Sequence, residues 1–316
     1  MCVNKIDLKS EIRRLAREKN AVIMAHYYVD GAVQDLADFV GDSLALAQQA
    51  AKTEADIIVL CGVHFMGETA AILCPDKKVL VPDESATCSL AESCPADEFA
   101  RFVADHPDHT VISYVNTTAA TKAVTDVVVT SSNARQIVES FPPETPIIFG
   151  PDQNLGGYIN SITGRNMVLW NGACHVHARF SVEKILALKA EHPSAKILVH
   201  PECKGPVVKL ADKVGSTAAL LKYAISSDAK EFIVATESGI LHEMQKSAPQ
   251  KTFIPAPPDD STCVCNECEY MKQVTLEKLY RCLVDEKPVV TVEPKIAERA
   301  LRPIKRMLEI SARLGI

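Results

Sequence analysis

A frame of four polar positions occurs three times in this chain and limits its fold more than any other feature. The first position follows an apolar run, and the other three lie 2, 12 and 17 residues beyond it. The sets are His26, Tyr28, Asp38 and Ser43; Tyr114, Asn116, Asp126 and Ser131; and His200, Glu202, Asp212 and Thr217. Recurrence at intervals of 88 and 86 residues predicts three copies of one α/β unit, with the chemistry where the copies meet.

Each copy is predicted to begin with a helix and to continue through four short strands. Amphipathic helices are predicted at Ser10–Asn20, Ala96–Asp105 and Ser181–Glu191. The apolar run after each helix is continuous, which is typical of parallel strands that helices cover on both faces. These first strands are predicted at Ala21–Ala25, Thr110–Ser113 and Ala195–Val199.

The expected fold class is therefore α/β, with three α/β sandwich domains that contain parallel sheets. A pseudo-threefold axis would relate the domains, and the active site would lie at their junction. The three copies are assigned to residues 1–90, 91–177 and 178–274. Two more helices, at Thr275–Val284 and Lys295–Leu314, are predicted to pack back on the first copy.

Candidate ligand-binding residues lie where parallel α/β sheets bind ligands, beyond the carboxyl ends of strands. The strand-end pairs are His26/Tyr28, Tyr114/Asn116 and His200/Glu202. Hydroxyl residues lie at the predicted helix starts, where free amides and the helix dipole favour anions. These are Ser43, Ser131, Ser216 and Thr217. Three such sites around one cavity suit a small substrate with several negative charges.

Each of these residues also has an ordinary structural alternative. A strand-end histidine or tyrosine is commonly a satisfied polar group, and a serine or threonine at a helix start is commonly a cap. Asp38, Asp126 and Asp212 are assigned to structure, each tying down its own loop. For the other pairs, the recurrence of polar groups at one site in all copies favours function.

Charge and hydropathy exclude several function classes. The formal charge is −6 and no block of Lys or Arg occurs, which argues against a nucleic-acid partner. No apolar run approaches the roughly 18 residues of a membrane span. The first ten residues lack the apolar core of a signal peptide, so the expected location is the cytoplasm.

Eleven cysteines raise the prior for metal binding or catalysis, because a reducing compartment disfavours disulfides. Cys61, Cys74 and Cys282 lie in apolar patterns and are expected to be buried. Each copy closes with a cysteine-bearing loop, and these loops hold Cys88, Cys174 and Cys268. Three converging thiolates would hold an iron–sulfur cluster and leave one metal position open as a Lewis acid.

Zinc remains an alternative at this point. The Cys265-x-x-Cys268 pair would also fit half of a zinc site or a redox pair. A separate zinc site would use Cys174, His175 and His177.

Several long motifs, in order along nearly the whole chain, resemble those of the quinolinate synthase family (the quinolinate synthase A family). They are AHYY (25–28), DFVGDSLALA (38–47), VPDESATC (81–88), YVNTTAATKA (114–123), FGPDQNLG (149–156), NGACHVH (171–177), VHPEC (199–203), VGST (214–217) and CEYMKQVTLEKLY (268–280). One departure concerns the last loop, where Cys263-x-Cys265-x-x-Cys268 differs from the evenly spaced CxxCxxC of some members.

The resemblance implies a three-domain α/β enzyme, a transferase with a [4Fe–4S] cluster held by Cys88, Cys174 and Cys268. It implies condensation of iminoaspartate with dihydroxyacetone phosphate to quinolinate, phosphate and water, in NAD biosynthesis. An oxidase or dehydrogenase that makes iminoaspartate would act upstream. Tyr28, His200 and Glu202 would be catalytic. Substrate would contact His26, Ser43, Tyr114, Asn116, Ser131, His200, Glu202, Ser216 and Thr217.

Two other function classes compete with this interpretation. An iron–sulfur sensor would not need polar groups at every strand end, and it would bring a DNA-binding or partner module. A zinc hydrolase that uses Cys174, His175 and His177 would leave Cys88 and Cys268 without a role.

Overall fold

The computed structural model describes residues 7–260 and 266–316. Contacts between residues divide this part of the chain into two compact units. The first unit contains the described residues up to Cys88 and the segment Glu269–Glu293. The second contains the described residues from Ser89 to Cys268 and the C-terminal segment Pro294–Ile316. The strands predicted for the first copy therefore lie in the first unit, and those predicted for the second and third copies lie in the second.

The first unit is built on a sheet of four parallel strands. The strands are β1 (Ala21–His26), β2 (Phe39–Gly41), β3 (Ile57–Cys61) and β4 (Lys78–Leu80). The helices are α1 (Leu8–Glu18), α2 (Gly31–Gln34), α3 (Ser43–Ala50), α4 (His64–Leu73) and α14 (Leu276–Asp285). The strand order is β2-β1-β3-β4, and β3 is buried along its whole length. A strand buried on both faces needs apolar residues throughout, which explains its unbroken sequence Ile-Ile-Val-Leu-Cys.

The second unit contains two more sheets of the same kind. Its strands are β5 (Thr110–Tyr114), β6 (Val127–Val129), β7 (Ile147–Gly150), β8 (Val168–Leu169), β9 (Lys196–Val199), β10 (Lys213–Val214), β11 (Glu231–Ala235) and β12 (Thr252–Pro255). Its helices are α5 (Ser89–Glu92), α6 (Ala96–Ala104), α7 (Ala119–Lys122), α8 (Ala134–Glu139), α9 (Gln153–Thr163), α10 (Val182–Glu191), α11 (Gly205–Val208), α12 (Thr217–Ser226), α13 (Ile240–Ser247) and α15 (Pro294–Leu314).

All three sheets have the same strand order, which confirms the predicted α/β repeat. The second-unit sheets run β6-β5-β7-β8 and β10-β9-β11-β12, and every pairing is parallel. In each copy the first strand of the sequence lies second in its sheet, between the second and third strands. The polar pairs of the frame begin at the carboxyl end of this strand, and they therefore lie away from the sheet edges.

The aspartate of the frame makes the same contact in all three copies. Its carboxylate accepts the backbone N–H of a residue in the first strand. Its own backbone N–H donates to the carbonyl of that same residue. The carboxylate distances are 2.8 Å for Asp38 and Ile23, 2.9 Å for Asp126 and Val111, and 2.8 Å for Asp212 and Ile197. The structural role is confirmed, and each aspartate anchors its segment to the first strand.

In two copies, an equivalent side chain donates hydrogen bonds to two backbone carbonyls of the loop after the first strand. Lys122 is fully buried and donates to the carbonyls of Val115, at 2.8 Å, and of Thr117. Gln34 makes the corresponding pair of bonds to the loop after β1, at 2.9 and 2.8 Å. These bonds fix the backbone that carries the polar strand-end residues.

The C-terminal helix α15 differs from its predicted location. The structure packs it against β6, α7 and α8 in the second unit, and only α14 of the predicted 275–316 segment joins the first. Its apolar face, which includes Ile304 and Met307, is buried there, and Asn133 donates to Ser311 at 3.0 Å. An amphipathic helix buries its apolar stripe on whichever surface is complementary, and the stripe alone does not identify that surface. Within the described ranges, no helix combines the length and the apolarity that crossing a membrane requires.

Candidate active site

A buried carboxylate, Glu202, is the centre of a polar cluster in the second unit. It lies just past β9 and is 3% exposed. The Tyr114 hydroxyl, at the end of β5, donates to its Oε1 atom at 2.6 Å. Nδ1 of His177, in a short 3₁₀ turn, lies 3.3 Å from Oε2. Both carboxylate oxygens therefore have partners, which a buried charge requires.

His200 completes this cluster. Its ring stacks on that of His177, with centroids 4.6 Å apart and planes 30° apart. Its Nδ1 atom accepts the backbone N–H of Glu202 at 3.3 Å. A ring that accepts at Nδ1 carries a proton on Nε2.

The first unit contains a matching arrangement. Nδ1 of His26 accepts the backbone N–H of Tyr28 at 3.2 Å, and the two rings meet edge to face with centroids 4.6 Å apart. Lys272 donates to the Tyr28 carbonyl at 2.9 Å and fixes the backbone at this position. The first and third copies thus place a histidine in the same way just past the first strand, with its Nδ1 atom accepting a backbone N–H.

Two buried carboxylates in the second unit have opposite pKa shifts. Burial alone would raise the pKa of Glu202, but the charge and hydrogen bond of His177, with His200 and Tyr114, lower it to about 2. Burial, followed by repulsion from Glu202, raises the pKa of Asp152 well above its usual range. Divergent pKa values in neighbouring acids are typical of sites that transfer protons.

Asp152 and Glu237 each hold the backbone of a cysteine. Asp152 follows β7 and accepts the N–H groups of Leu155, at 2.7 Å, and Cys174, at 3.0 Å. Glu237 follows β11 and accepts those of Gly239, at 2.6 Å, and Cys268, at 3.2 Å. Both carboxylates are 0% exposed. Two copies therefore use the same device to fix the cysteine loop against the turn after the third strand.

Gly172 permits the close approach of one of these loops. It donates to the Pro151 carbonyl at 3.1 Å and accepts from the Gln153 N–H at 2.8 Å. A Cβ atom at this position would lie 2.6 Å from the Pro151 oxygen, so a larger residue would push the loop away.

The described cysteines fall into two groups. Five are buried, and burial raises the pKa of each thiol; they are Cys61, Cys74, Cys94, Cys203 and Cys282. The three partly exposed ones are Cys88, Cys174 and Cys268. The predicted burial of Cys61, Cys74 and Cys282 is confirmed. Cys263 and Cys265, which are not among the ligands that the resemblance implies, lie outside the described residues.

The helix starts match the prediction in part. Ser216 caps α12 by accepting the N–H of Ala219 at 3.3 Å, and Ser132 donates to its hydroxyl at 2.8 Å. Thr217 is the buried first residue of α12. Ser131 lies in the turn before α8.

Ser43 is not the cap of α3. Asp42 accepts the N–H of Ala45 at 3.0 Å, and Ser43 becomes the first helical residue. Two adjacent side chains were able to cap this helix, and the carboxylate, the stronger acceptor of the two, does so.

Among the residues that the structure describes, Asn116 has a buried Oδ1 atom without a hydrogen-bond partner.

Within the second unit, the structure brings together Tyr114, His200 and Glu202. Sequence reasoning missed His177 as a partner of Glu202, and it missed Thr236, whose hydroxyl lies 2.9 Å from His177 Nε2. The signal for His177 was its position three residues after Cys174, which one turn of helix-like backbone brings close: Nδ1 lies 3.2 Å from Sγ. Thr236 had no signal beyond its place after β11.

Comparison with known proteins gives one consistent result. A family model described as quinolinate synthetase A protein matches residues 10–309. A quinolinate synthase of Thermosynechococcus vestitus is 58% identical over 306 residues, which cover 97% of this chain and 96% of the relative. Relatives of the same name are 57% identical in Microcystis aeruginosa (96% and 95% covered) and 53% identical in Chloroherpeton thalassium (98% and 96% covered). Because the match spans nearly the whole chain, this protein belongs to the quinolinate synthetase A family.

Proposed function

We propose that this chain condenses iminoaspartate with dihydroxyacetone phosphate to form quinolinate, phosphate and two waters for NAD biosynthesis. Family membership supports the reaction class. The single observation that carries the proposal is the buried Glu202 carboxylate with the Tyr114 hydroxyl and the His200 ring against it. Carboxylate, imidazole and phenol groups within reach of one another are groups that can carry out the proton transfers that join the two carbon chains. Iminoaspartate hydrolyses in water, so an oxidase or dehydrogenase that produces it would act immediately upstream.

The cysteines fit a [4Fe–4S] cluster held by Cys88, Cys174 and Cys268. These are the partly exposed thiols of the described chain, whereas the others are packed into apolar surroundings that disfavour thiolates. Asp152 and Glu237 hold the amides of Cys174 and Cys268, which limits the loss of entropy on ligation. When bound, the cluster supplies one iron with an open position that acts as a Lewis acid.

The residues of the chain would then divide the remaining work. Glu202 would accept the proton lost from carbon, and His200 would donate from Nε2 to the triose oxygen. Tyr28 would act as an acid or base in the dehydration and ring closure. The anionic groups of the substrates would bind the polar residues of the frame, which are His26, Ser43, Tyr114, Asn116, Ser131, Ser216 and Thr217. The amides at the start of α12 would offset phosphate or carboxylate charge.

Replacement of one oxygen tests this assignment. Glu202→Gln keeps the size of the side chain but removes the base, and it should lower quinolinate formation by about 10²- to 10⁴-fold. Iron content of the anaerobically purified variant should be unchanged. Glu231→Gln, a change at a partly exposed carboxylate on β11, is the control and should retain activity. Wild-type rates in Glu202→Gln would contradict the role of Glu202.

A further inference from the structure

Cys174, His177 and Glu202 bring three different metal-binding donor atoms close together, in an arrangement that the proposed reaction alone does not require. Cys174 Sγ, a His177 ring nitrogen and a Glu202 carboxylate oxygen all lie within 4.8 Å of one another. Nδ1 of His177 lies 3.2 Å from Sγ and 3.3 Å from Glu202 Oε2. His177 and Glu202 are buried, whereas Cys174 is partly exposed. The three donors therefore surround one point that is reachable from the cysteine side.

The spacing of these donors suits a single small cation. Zinc binds sulfur at about 2.3 Å and nitrogen or oxygen at about 2.0–2.2 Å, in a tetrahedron whose edges are about 3.3–3.7 Å long. The two distances from His177 are already close to that edge. One thiolate, one imidazole and one carboxylate form a ligand set that zinc accepts, with a fourth position left for water.

Surrounding hydrogen bonds prepare each donor for this role. Thr236 Oγ1, at 2.9 Å, can accept the Nε2 proton of His177, so the ring can keep that proton while a metal ion replaces the proton at Nδ1. Tyr114 occupies Oε1 of Glu202 and leaves Oε2 facing His177. Asp152 holds the backbone amide of Cys174. The ring of His177 is kept in place by its stacking on His200.

We propose that the cluster-free protein binds one zinc-like divalent cation through Cys174, His177 and Glu202. Binding would release the thiol proton of Cys174 and the Nδ1 proton of His177, and it would form one metal–sulfur, one metal–nitrogen and one metal–oxygen bond. A consequence, which rests on the proposed function, is competition: the ion occupies a cluster ligand and the catalytic carboxylate together. Zinc bound first would then prevent assembly of the cluster.

Cobalt titration of the cluster-free, full-length protein tests the site directly. Stripped of iron under anaerobic, reducing conditions, the wild type should bind one Co²⁺ and develop a thiolate-to-cobalt charge-transfer band, and Zn²⁺ should abolish this band. Cys174→Ala should remove the band. His177→Ala should weaken binding, and Thr236→Val should weaken it by about 10- to 100-fold as a change in the surrounding shell. Cys268→Ala is the matched control and should bind Co²⁺ as the wild type does.

The contrary results are equally distinct. Absence of the band in the wild type, or its loss in Cys268→Ala with full retention in His177→Ala, would overturn the proposal. Circular dichroism identifies any variant that fails to fold. The charge-transfer band of the wild type and the Co²⁺ affinity of Thr236→Val then remain as tests of the site. Cluster assembly in metal-free wild-type protein is measured in parallel. Its failure would count against the proposed function and not against the cation site.

Discussion

Individual carboxylates in this protein do different work because their hydrogen-bond partners differ. Glu202 meets side-chain donors that stabilise its charge, whereas Asp152 and Glu237 meet backbone amides and fix a cysteine each. All three are buried, so burial alone does not distinguish the carboxylate that we propose to be catalytic from the two that hold backbone amides. The identity of the donor does.

Asp152→Asn should loosen the Cys174 loop. An amide cannot accept both backbone N–H groups with its two terminal atoms, so one of the bonds to Leu155 and Cys174 is lost. We expect a loss of stability of about 1 kcal/mol, as for other helix caps, and faster release of iron from the proposed cluster to a chelator under anaerobic conditions.

Ser181→Ala is the control for that experiment. Ser181 caps α10 by accepting the Lys184 N–H and holds no cysteine. It should lose a similar amount of stability, measured by urea denaturation, without faster iron release. Equal rates of iron release in the two variants would show that Asp152 acts only as a helix cap.

A surface carboxylate gives a pH-dependent test. Partial burial opposes ionisation of Asp212, but hydrogen bonds from Lys196 and the Ile197 amide outweigh it and lower the pKa below its ordinary 3.8. A depressed pKa adds stability above the unfolded-state pKa, and this stability is lost as the pH falls. The stability difference between wild type and Asp212→Asn should therefore shrink below about pH 4 in urea titrations. A difference that is constant from pH 7 to pH 3 would be inconsistent with this linkage.

At the scale of elements, the repeat is visible in the sequence because local rules govern it. A continuous apolar run followed by a polar residue at a fixed distance predicted the first strands, and the observed β1, β5 and β9 begin within one residue of the prediction. The partner of α15 was not predictable, because its stripe of buried residues fits any apolar surface of suitable shape. The same limit applies to Asp152 and Glu237, whose bonds join residues far apart in sequence.

Helix α15 should contribute to the stability of the second unit. Met307 is fully buried, and Met307→Ala should lower the free energy of unfolding by about 2–5 kcal/mol, measured in urea. Arg302→Ala, on the exposed face, should change it by less than about 0.5 kcal/mol. Similar effects of the two substitutions would mean that α15 does not pack in solution as described.

For the whole molecule, three copies of one unit have kept their strand order while their strand-end residues have diverged. The first position is histidine in the first and third copies and tyrosine in the second, and the second position is Tyr28, Asn116 or Glu202. Sequence reasoning recognised these positions because chain spacing reveals them. It did not recognise His177 as the partner of Glu202, because that contact depends on how two copies pack.

The cysteine assignment is tested by single substitutions. Cys88→Ala, Cys174→Ala and Cys268→Ala should each lose the proposed cluster, because each removes one of three ligands. Cys265→Ala should keep it. Iron and sulfide assays on anaerobically purified variants measure this, and a cluster lost in Cys265→Ala but kept in Cys268→Ala would reverse the assignment.

The most direct test combines two assays on one anaerobic sample of the wild-type protein. Iron and sulfide are determined, and the same sample is supplied with iminoaspartate and dihydroxyacetone phosphate. The account predicts about four irons and four sulfides per chain, together with formation of quinolinate. Zinc in place of iron, or a full complement of iron without any quinolinate, would contradict it.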